Sequence, residues 1–184
     1  MQHWLHTLMH DSARSHTECS APRSSTRMID VDCYRIVRDA LTLEHAWHVI
    51  AARDIAQGTT ILEIEGVECA MPTRHSVQFG PRLHITPPAG LVDGSDTLPN
   101  LEGHTDGHFG WRYLDHSCAP NCTLDARLLI AIRPIRAGEK ISFDYETTEH
   151  TISSPFKCSC GSCDGRMIVG HGARSRASSR ATRA

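Results

Sequence analysis

Lysine is nearly missing from this chain: of nineteen basic residues only Lys140 and Lys157 are lysines, the rest being arginines. We read that bias as a GC-rich coding preference with no bearing on function. No net positive charge is present either. The balance is −2 with a near-neutral pI of 6.7, which excludes the broad basic surface by which nucleic-acid binders neutralise phosphates. Long apolar runs are absent as well. His, Asp and Arg interrupt Met1 to Arg27, so no secretory apolar run is recognisable there, and nothing approaches the roughly 18 apolar residues of a membrane helix. A reducing, intracellular setting is therefore expected, cytoplasmic or nuclear, with no membrane partner. Aromatic residues make up only 5%, and no segment carries a 3.6-residue apolar stripe long enough for a major helix.

What the chain does hold is cysteine. Five of eight cluster in the last third, namely Cys118, Cys122, Cys158, Cys160 and Cys163, while Cys19, Cys33 and Cys69 are scattered earlier. In a reducing compartment, clustered thiols read as metal ligands before disulfides.

With 184 residues and 40% hydrophobic content the chain can bury one core. Residues 1–27 lack periodicity and read as a disordered leader or a start assigned too early, since Met28 stands just before the first ordered-looking segment. Residues 171–184 are rich in Arg and Ser and read as a solvated tail. In between, Cys33–Arg38, Trp47–Ala52, Thr59–Glu65, Arg82–Thr86, Arg127–Ile132 and Lys140–Tyr145 are short, β-branched runs expected to be strands. Gln57-Gly58 and Ala137-Gly138 mark turns just before two of them. Residues 71–110, broken by Pro and Gly, read as a variable insert between two β-halves. His104 and His108 stand four apart there, but the glycines at 103, 107 and 110 argue against the helix a metal pair would need.

The densest chemistry lies in Tyr113-Leu-Asp-His-Ser-Cys-Ala-Pro-Asn-Cys122, where two thiols, a histidine, a carboxylate and a Pro-Asn turn share ten residues. Downstream come Gly138-Glu-Lys-Ile-Ser-Phe-Asp-Tyr145 and Phe156-Lys-Cys-Ser-Cys-Gly-Ser-Cys163. In that order these segments resemble the SET-domain protein-lysine methyltransferases. The first matches that family's Arg-(Phe/Tyr)-x-Asn-His-Ser-Cys-x-Pro-Asn from Arg112 to Asn121 except at Asp115. The second matches its Gly-Glu-Glu-Leu-x-x-Asp-Tyr, and the third its cysteine-rich post-SET segment. The likeness extends weakly upstream to Ala52–Gly66 and so covers roughly residues 30–170.

The resemblance implies a mainly β fold of the SET β-clip type, built of short sheets with a C-terminal pseudoknot. It assigns residues 28–150 to the SET domain and 151–170 to a small zinc-bound post-SET segment. It implies S-adenosylmethionine as methyl donor and a protein or peptide lysine as acceptor. Such a reaction needs a neutral amine. From a free-lysine pKa of about 10.4, holding it uncharged at pH 7 costs roughly 4–5 kcal/mol, which a desolvated aromatic channel reduces. Tyr145 falls on the family's catalytic tyrosine. Phe143, two residues earlier and expected on the same strand face, falls on the position where Phe rather than Tyr favours di- or trimethylation.

Carried over in the same way, Ala46, Trp47, His48, Arg112, Asp115 and His116 are the cofactor-binding residues, with Arg112 read also as a loop anchor and Asp144 as holding the knot. Three of the four zinc thiolates are Cys158, Cys160 and Cys163, although the Cys-x-x-Cys spacing is two residues shorter than the family's usual one. The fourth is Cys118, with Cys122 as the alternative and a small buried hydrophobe as the preferred reading of Cys122. The sequence departs from the family where Ala46-Trp47-His48 replaces Gly-x-Gly, where Asp115 replaces Asn, and where Ile64 stands for a channel tyrosine. These departures motivate an alternative of a different class, a catalytically silent SET fold acting as a peptide- or partner-binding module. A zinc knuckle contacting nucleic acid ranks last, because few basic and aromatic residues flank the cysteines.

Overall fold

The computed structural model describes residue 29 and residues 32–38, 47–88 and 109–175. Ala46, His104, His108 and the whole of the expected 1–27 leader lie outside the described residues. Among the described residues, short β-rich runs form twelve strands: β1 (Tyr34–Arg38), β2 (Trp47–Ala51), β3 (Thr60–Glu63), β4 (Val67–Cys69), β5 (Val77–Gly80), β6 (Leu83–Thr86), β7 (Asp115–His116), β8 (Cys122–Asp125), β9 (Leu128–Ala131), β10 (Ser142–Phe143), β11 (Phe156–Lys157) and β12 (Met167–Ile168). They form five small sheets rather than one large one. β1 pairs with β2, β3-β9-β8 and β4-β6-β5 are three-stranded, and β11 pairs with β12, all antiparallel. β7 and β10 run parallel, with Ser142 opposite Asp115 and Phe143 opposite His116.

The core is aliphatic. Ile36, Val49, Ile61, Ile64, Leu129, Ile135 and Ile141 are almost wholly buried and tie the sheets together. β3 is buried at Thr60, Ile61 and Leu62 in succession, so both its faces are covered. The two turns expected from Gly58 and Gly138 are present, at φ +85° and +82°, a region glycine enters without steric cost. Each precedes its strand.

Three expectations change. Val77–Gly80 and Leu83–Thr86 form a hairpin on β4, so part of the presumed insert at 71–110 is regular structure; its irregular composition reflects the tight turn at Pro81-Arg82. Lys140–Tyr145 is not one strand. Lys140 makes an isolated antiparallel bridge with Ile50 and Ser142–Phe143 pairs with β7, and the pairing ends there because Asp144 accepts the Glu146 backbone N–H at 3.0 Å and starts a 3-10 turn over Tyr145–Thr147. Residues 171–175, placed in the solvated tail, form one helical turn in which Arg174 reaches Glu146. Among the described residues no helix is long and apolar enough to cross a membrane.

Candidate active site

Asn121 organises the loop. It is 1% exposed, its Nδ2 donates to the Lys140 carbonyl at 2.7 Å and to Glu139 Oε1 at 3.2 Å, and its Oδ1 accepts the Ser142 N–H at 2.9 Å. Its own carbonyl accepts the Ile132 N–H. One side chain thus fastens the decapeptide to the segment carrying Phe143 and Tyr145. On the far side Ser117 N–H donates to the Phe143 carbonyl.

The outcome is a cavity of about 270 Å³ lined by Trp111, Leu114, Phe143, Tyr145 and Phe156 and also by polar groups that include Arg74, His75, Arg112 and Glu149. The Phe143 and Tyr145 rings lie 4.9 Å apart. Asp144 between them has extended backbone, which keeps the two rings on one side although Tyr145 begins the 3-10 turn. The Tyr145 hydroxyl donates to the Leu114 carbonyl. Burial first, then the charges of Asp115 and Glu149, push the phenol above its ordinary range, so it stays protonated. Ile64 is not on this cavity: it is fully buried in the core, and the aromatic wall is completed by Trp111 and Phe156 instead.

The residues assigned to the cofactor fall into three contacts. His48 Nδ1 lies 2.9 and 3.0 Å from the Asp115 carboxylate oxygens, with Lys140 Nζ 3.2 Å from the same ring. Trp47 meets Tyr113 with ring centroids 5.9 Å apart, and the Arg38 guanidinium covers its ring. His116 packs edge-on against Tyr145 at 5.2 Å; its Nδ1 accepts the Tyr145 N–H while its Nε2 faces Cys118 Sγ at 3.4 Å. Burial pushes His116 below its usual pKa, which keeps it neutral and suits that arrangement. Arg112 makes none of these contacts with the other four described residues. Its guanidinium lies on the Tyr113 ring and it borders the cavity, in agreement with a loop anchor. These contacts contain a carboxylate, an ammonium, imidazoles and flat rings, groups of the kinds that can meet a zwitterionic, aromatic cofactor.

The four expected thiols converge. The Sγ atoms of Cys118, Cys158, Cys160 and Cys163 all lie within 4.8 Å of one another. Cys118 and Cys158 are 3.8 Å apart, and Cys160 and Cys163 4.0 Å. Tetrahedral zinc with Zn–S bonds of about 2.3 Å sets its sulfurs about 3.8 Å apart, so the cluster fits that ion. N–H donors from Cys118 and Ser162 lower the Cys160 thiol to about 6, whereas burial pushes Cys158 up to about 12. Arg166 Nε donates to Cys118 Sγ at 3.1 Å. Cys122 points elsewhere: it is 1% exposed in the core and its thiol is pushed up to about 12 by burial.

Sequence reasoning missed Glu149 and Glu146. Glu149 is buried on the cavity. Glu146 binds Arg166 and Arg174 at 2.6 Å each. Neither belongs to a motif, and only their place just after Tyr145 hinted at them.

Residues 46–146, more than half of the chain, match the SET domain family model. Histone-lysine N-methyltransferase ash1 of Drosophila melanogaster is 27% identical over 139 residues, 71% of this chain and 6% of that protein. Methyltransferase flvH of Aspergillus flavus is 31% identical over 94 residues, 49% of this chain and 42% of that one. A crystal structure of KRYPTONITE in complex with mCHG DNA and SAH gives a TM-score of 0.48 at 22% identity, covering 72% of this chain and 28% of that one. The chain spans less than half the length of each.

Proposed function

The chain belongs to the SET-domain family, and from that premise we propose that it transfers methyl groups from S-adenosylmethionine to a lysine of a protein or peptide. The observation that carries this reading is the cavity in which Tyr145 and Phe143 adjoin under Trp111, Leu114 and Phe156. Apolar walls of this kind strip water from an entering amine and disfavour its charged form, which is the form that cannot react. The Tyr145 oxygen, with its proton committed to Leu114, keeps lone pairs for an amine N–H and orients the nitrogen.

The bound cofactor supplies an electrophilic methyl group on a sulfonium. Trp47, His48, Asp115 and His116 would hold it, and Asp115 and Lys140 offer opposite charges to its amino and carboxyl groups. Ala46 keeps its place in this set by sequence. Zinc on the four thiols would staple residues 156–168 onto the decapeptide, setting Phe156 against His116 at 5.8 Å and against Tyr145 at 6.1 Å. Phe143 brings no hydroxyl to the cavity, which leaves room for a methylated amine to turn. Di- and trimethylated products are expected, and Phe143→Tyr should narrow them to the monomethyl form.

The names of the histone-lysine methyltransferase relatives make core histones a first acceptor, beside a total protein extract. Labelled methyl transfer into lysines by the native chain, lost in Tyr145→Phe and in Cys160→Ser, is the expected result. A second reading, a silent binding module, is favoured by one feature: His48 places a ring where the family has a glycine. Failure of a folded, zinc-loaded chain to bind S-adenosylmethionine in calorimetry would select it.

A further inference from the structure

Glu149 is an unexpected group to find on a methyl-transfer cavity. It is 6% exposed and borders the same space as Tyr145 and Phe143. Its backbone N–H donates to the Tyr145 carbonyl at 2.8 Å, which places the carboxyl one turn beyond the phenol. Oε1 accepts the Gln78 backbone N–H at 2.7 Å and the Thr148 hydroxyl at 3.3 Å. Oε2 has no hydrogen-bond partner among the described residues, and no cation there pairs with the group. Gln78 fixes the position by accepting the His150 N–H at 2.7 Å. A buried carboxylate that borders the cavity with one oxygen unpartnered, and that pairs with neither Arg74 nor Arg112 on the same cavity, suits an ammonium that arrives from outside.

Resting on the methyltransferase reading, we propose that Glu149 is the base that takes the proton a substrate lysine must lose before methylation. The step is R–NH3⁺ plus Glu149–COO⁻ giving R–NH2 plus Glu149–COOH. The nitrogen lone pair so released forms a bond to the sulfonium methyl as the sulfur–methyl bond breaks, that electron pair staying on sulfur, which leaves as a neutral thioether; the carboxyl returns its proton to water before the next turnover. Burial raises Glu149 to about 7, against the opposing hydrogen bonds from Gln78 and Thr148, and a base works best when its pKa lies near the working pH.

Other groups cannot supply the same titration. The Tyr145 phenol is pushed upward, and His75, on the same cavity, is pushed below its ordinary value by burial and by Arg74 and Arg112. Arg74 and Arg112 are fixed cations, and the His150 ring is turned to His171 at 3.3 Å.

The test is the pH dependence of labelled methyl transfer from S-adenosylmethionine to a total protein extract, for the native chain and Glu149→Gln. The amide keeps both hydrogen-bond acceptances, so a purely structural role leaves the profile unchanged. With a catalytic role the native rate rises through about pH 7, and Glu149→Gln is slower by about 10²-fold near pH 7.5, within the range of general-base contributions. The gap closes toward pH 10, where lysine loses its proton unaided. A ratio of rates constant across pH overturns the proposal while leaving the methyltransferase reading intact. A native chain inactive at every pH removes both. Should Glu149→Gln not fold, Glu149→Asp replaces it. Moving the carboxyl back by one methylene then lowers the rate while the limb near pH 7 persists, and a vanished limb at undiminished rate overturns the assignment.

Discussion

His48 and Asp115, 67 residues apart, face each other with Nδ1 2.9 Å from one carboxylate oxygen and 3.0 Å from the other. The imidazole donates from Nδ1 and its Nε2 is left to accept from Lys140 Nζ at 3.2 Å. These are positions where the family has Gly, Asn and Glu. Three separate departures in sequence are thus one feature in space: a ring added on β2 is held by a charge added on β7 and covered by an ammonium beside β10.

Asp115→Asn and His48→Gly should therefore not be additive. A double-mutant cycle on folding stability is expected to show a coupling of about 1 kcal/mol, within the range for residues in one charged network. Affinity for S-adenosylmethionine should fall more in either single variant than in the double, which restores the family's pair. Independent losses in calorimetry would sink this view.

Asn121→Ala leaves the Lys140 carbonyl and the Ser142 N–H without their partner inside the fold. At about 1–3 kcal/mol for each unsatisfied buried group, a loss of about 3 kcal/mol is expected, with a lower urea midpoint and an unchanged slope. A loss under about 1 kcal/mol would mean that water replaces these bonds.

Metal content separates the cysteines. The native chain should carry one zinc, Cys160→Ser and Cys118→Ser should lose it, and Cys122→Ala should keep it. The last variant should cost only about 1 kcal/mol through lost packing. Zinc lost from Cys122→Ala with the fold intact would return Cys122 to the ligand set.

Glu149 also makes stability depend on pH. Its folded pKa, about 7, lies above the ordinary 4.5, so the fold binds a proton that the unfolded chain has released. Its contribution is fully present below pH 4.5 and lost as pH rises through about 7. At about 1.36 kcal/mol per unit the difference approaches 3 kcal/mol. Denaturant unfolding of the native chain, referenced to Glu149→Gln, should show that decline, and a flat difference between pH 4.5 and 7 would contradict it.

Much of this was legible beforehand, for definite reasons. Cys118, Cys158, Cys160 and Cys163 were readable because a metal demands fixed ligand types, and Tyr145 because it ends an ordered motif. The break at Asp144 was not, since a carboxylate caps a turn only when the following backbone bends toward it. The pairing of His48 with Asp115 was hidden by their separation of 67 positions. Glu149 acts through burial, which no local pattern encodes.

Glu146 shows how the metal centre and the cavity are joined. Its side chain is 8% exposed and accepts from Arg166 Nη1 and Arg174 Nη2 at 2.6 Å, and from the Val169 N–H at 3.3 Å. Arg166 in turn donates to Cys118 Sγ, so one carboxylate beside Tyr145 positions a guanidinium on a sulfur of the four-cysteine cluster. Glu146→Ala leaves that guanidinium without its counter-charge. The expected cost is about 2 kcal/mol, below the 3–5 kcal/mol of a fully buried pair because both arginines reach water. Zinc should also leave faster, as read by a chromogenic chelator, since Cys118 loses a fixed donor. Arg174→Ala, which removes only the more exposed partner, should change release little. Equal release rates in Glu146→Ala and the native chain would show that the thiolates hold the metal without help from the turn that carries Tyr145.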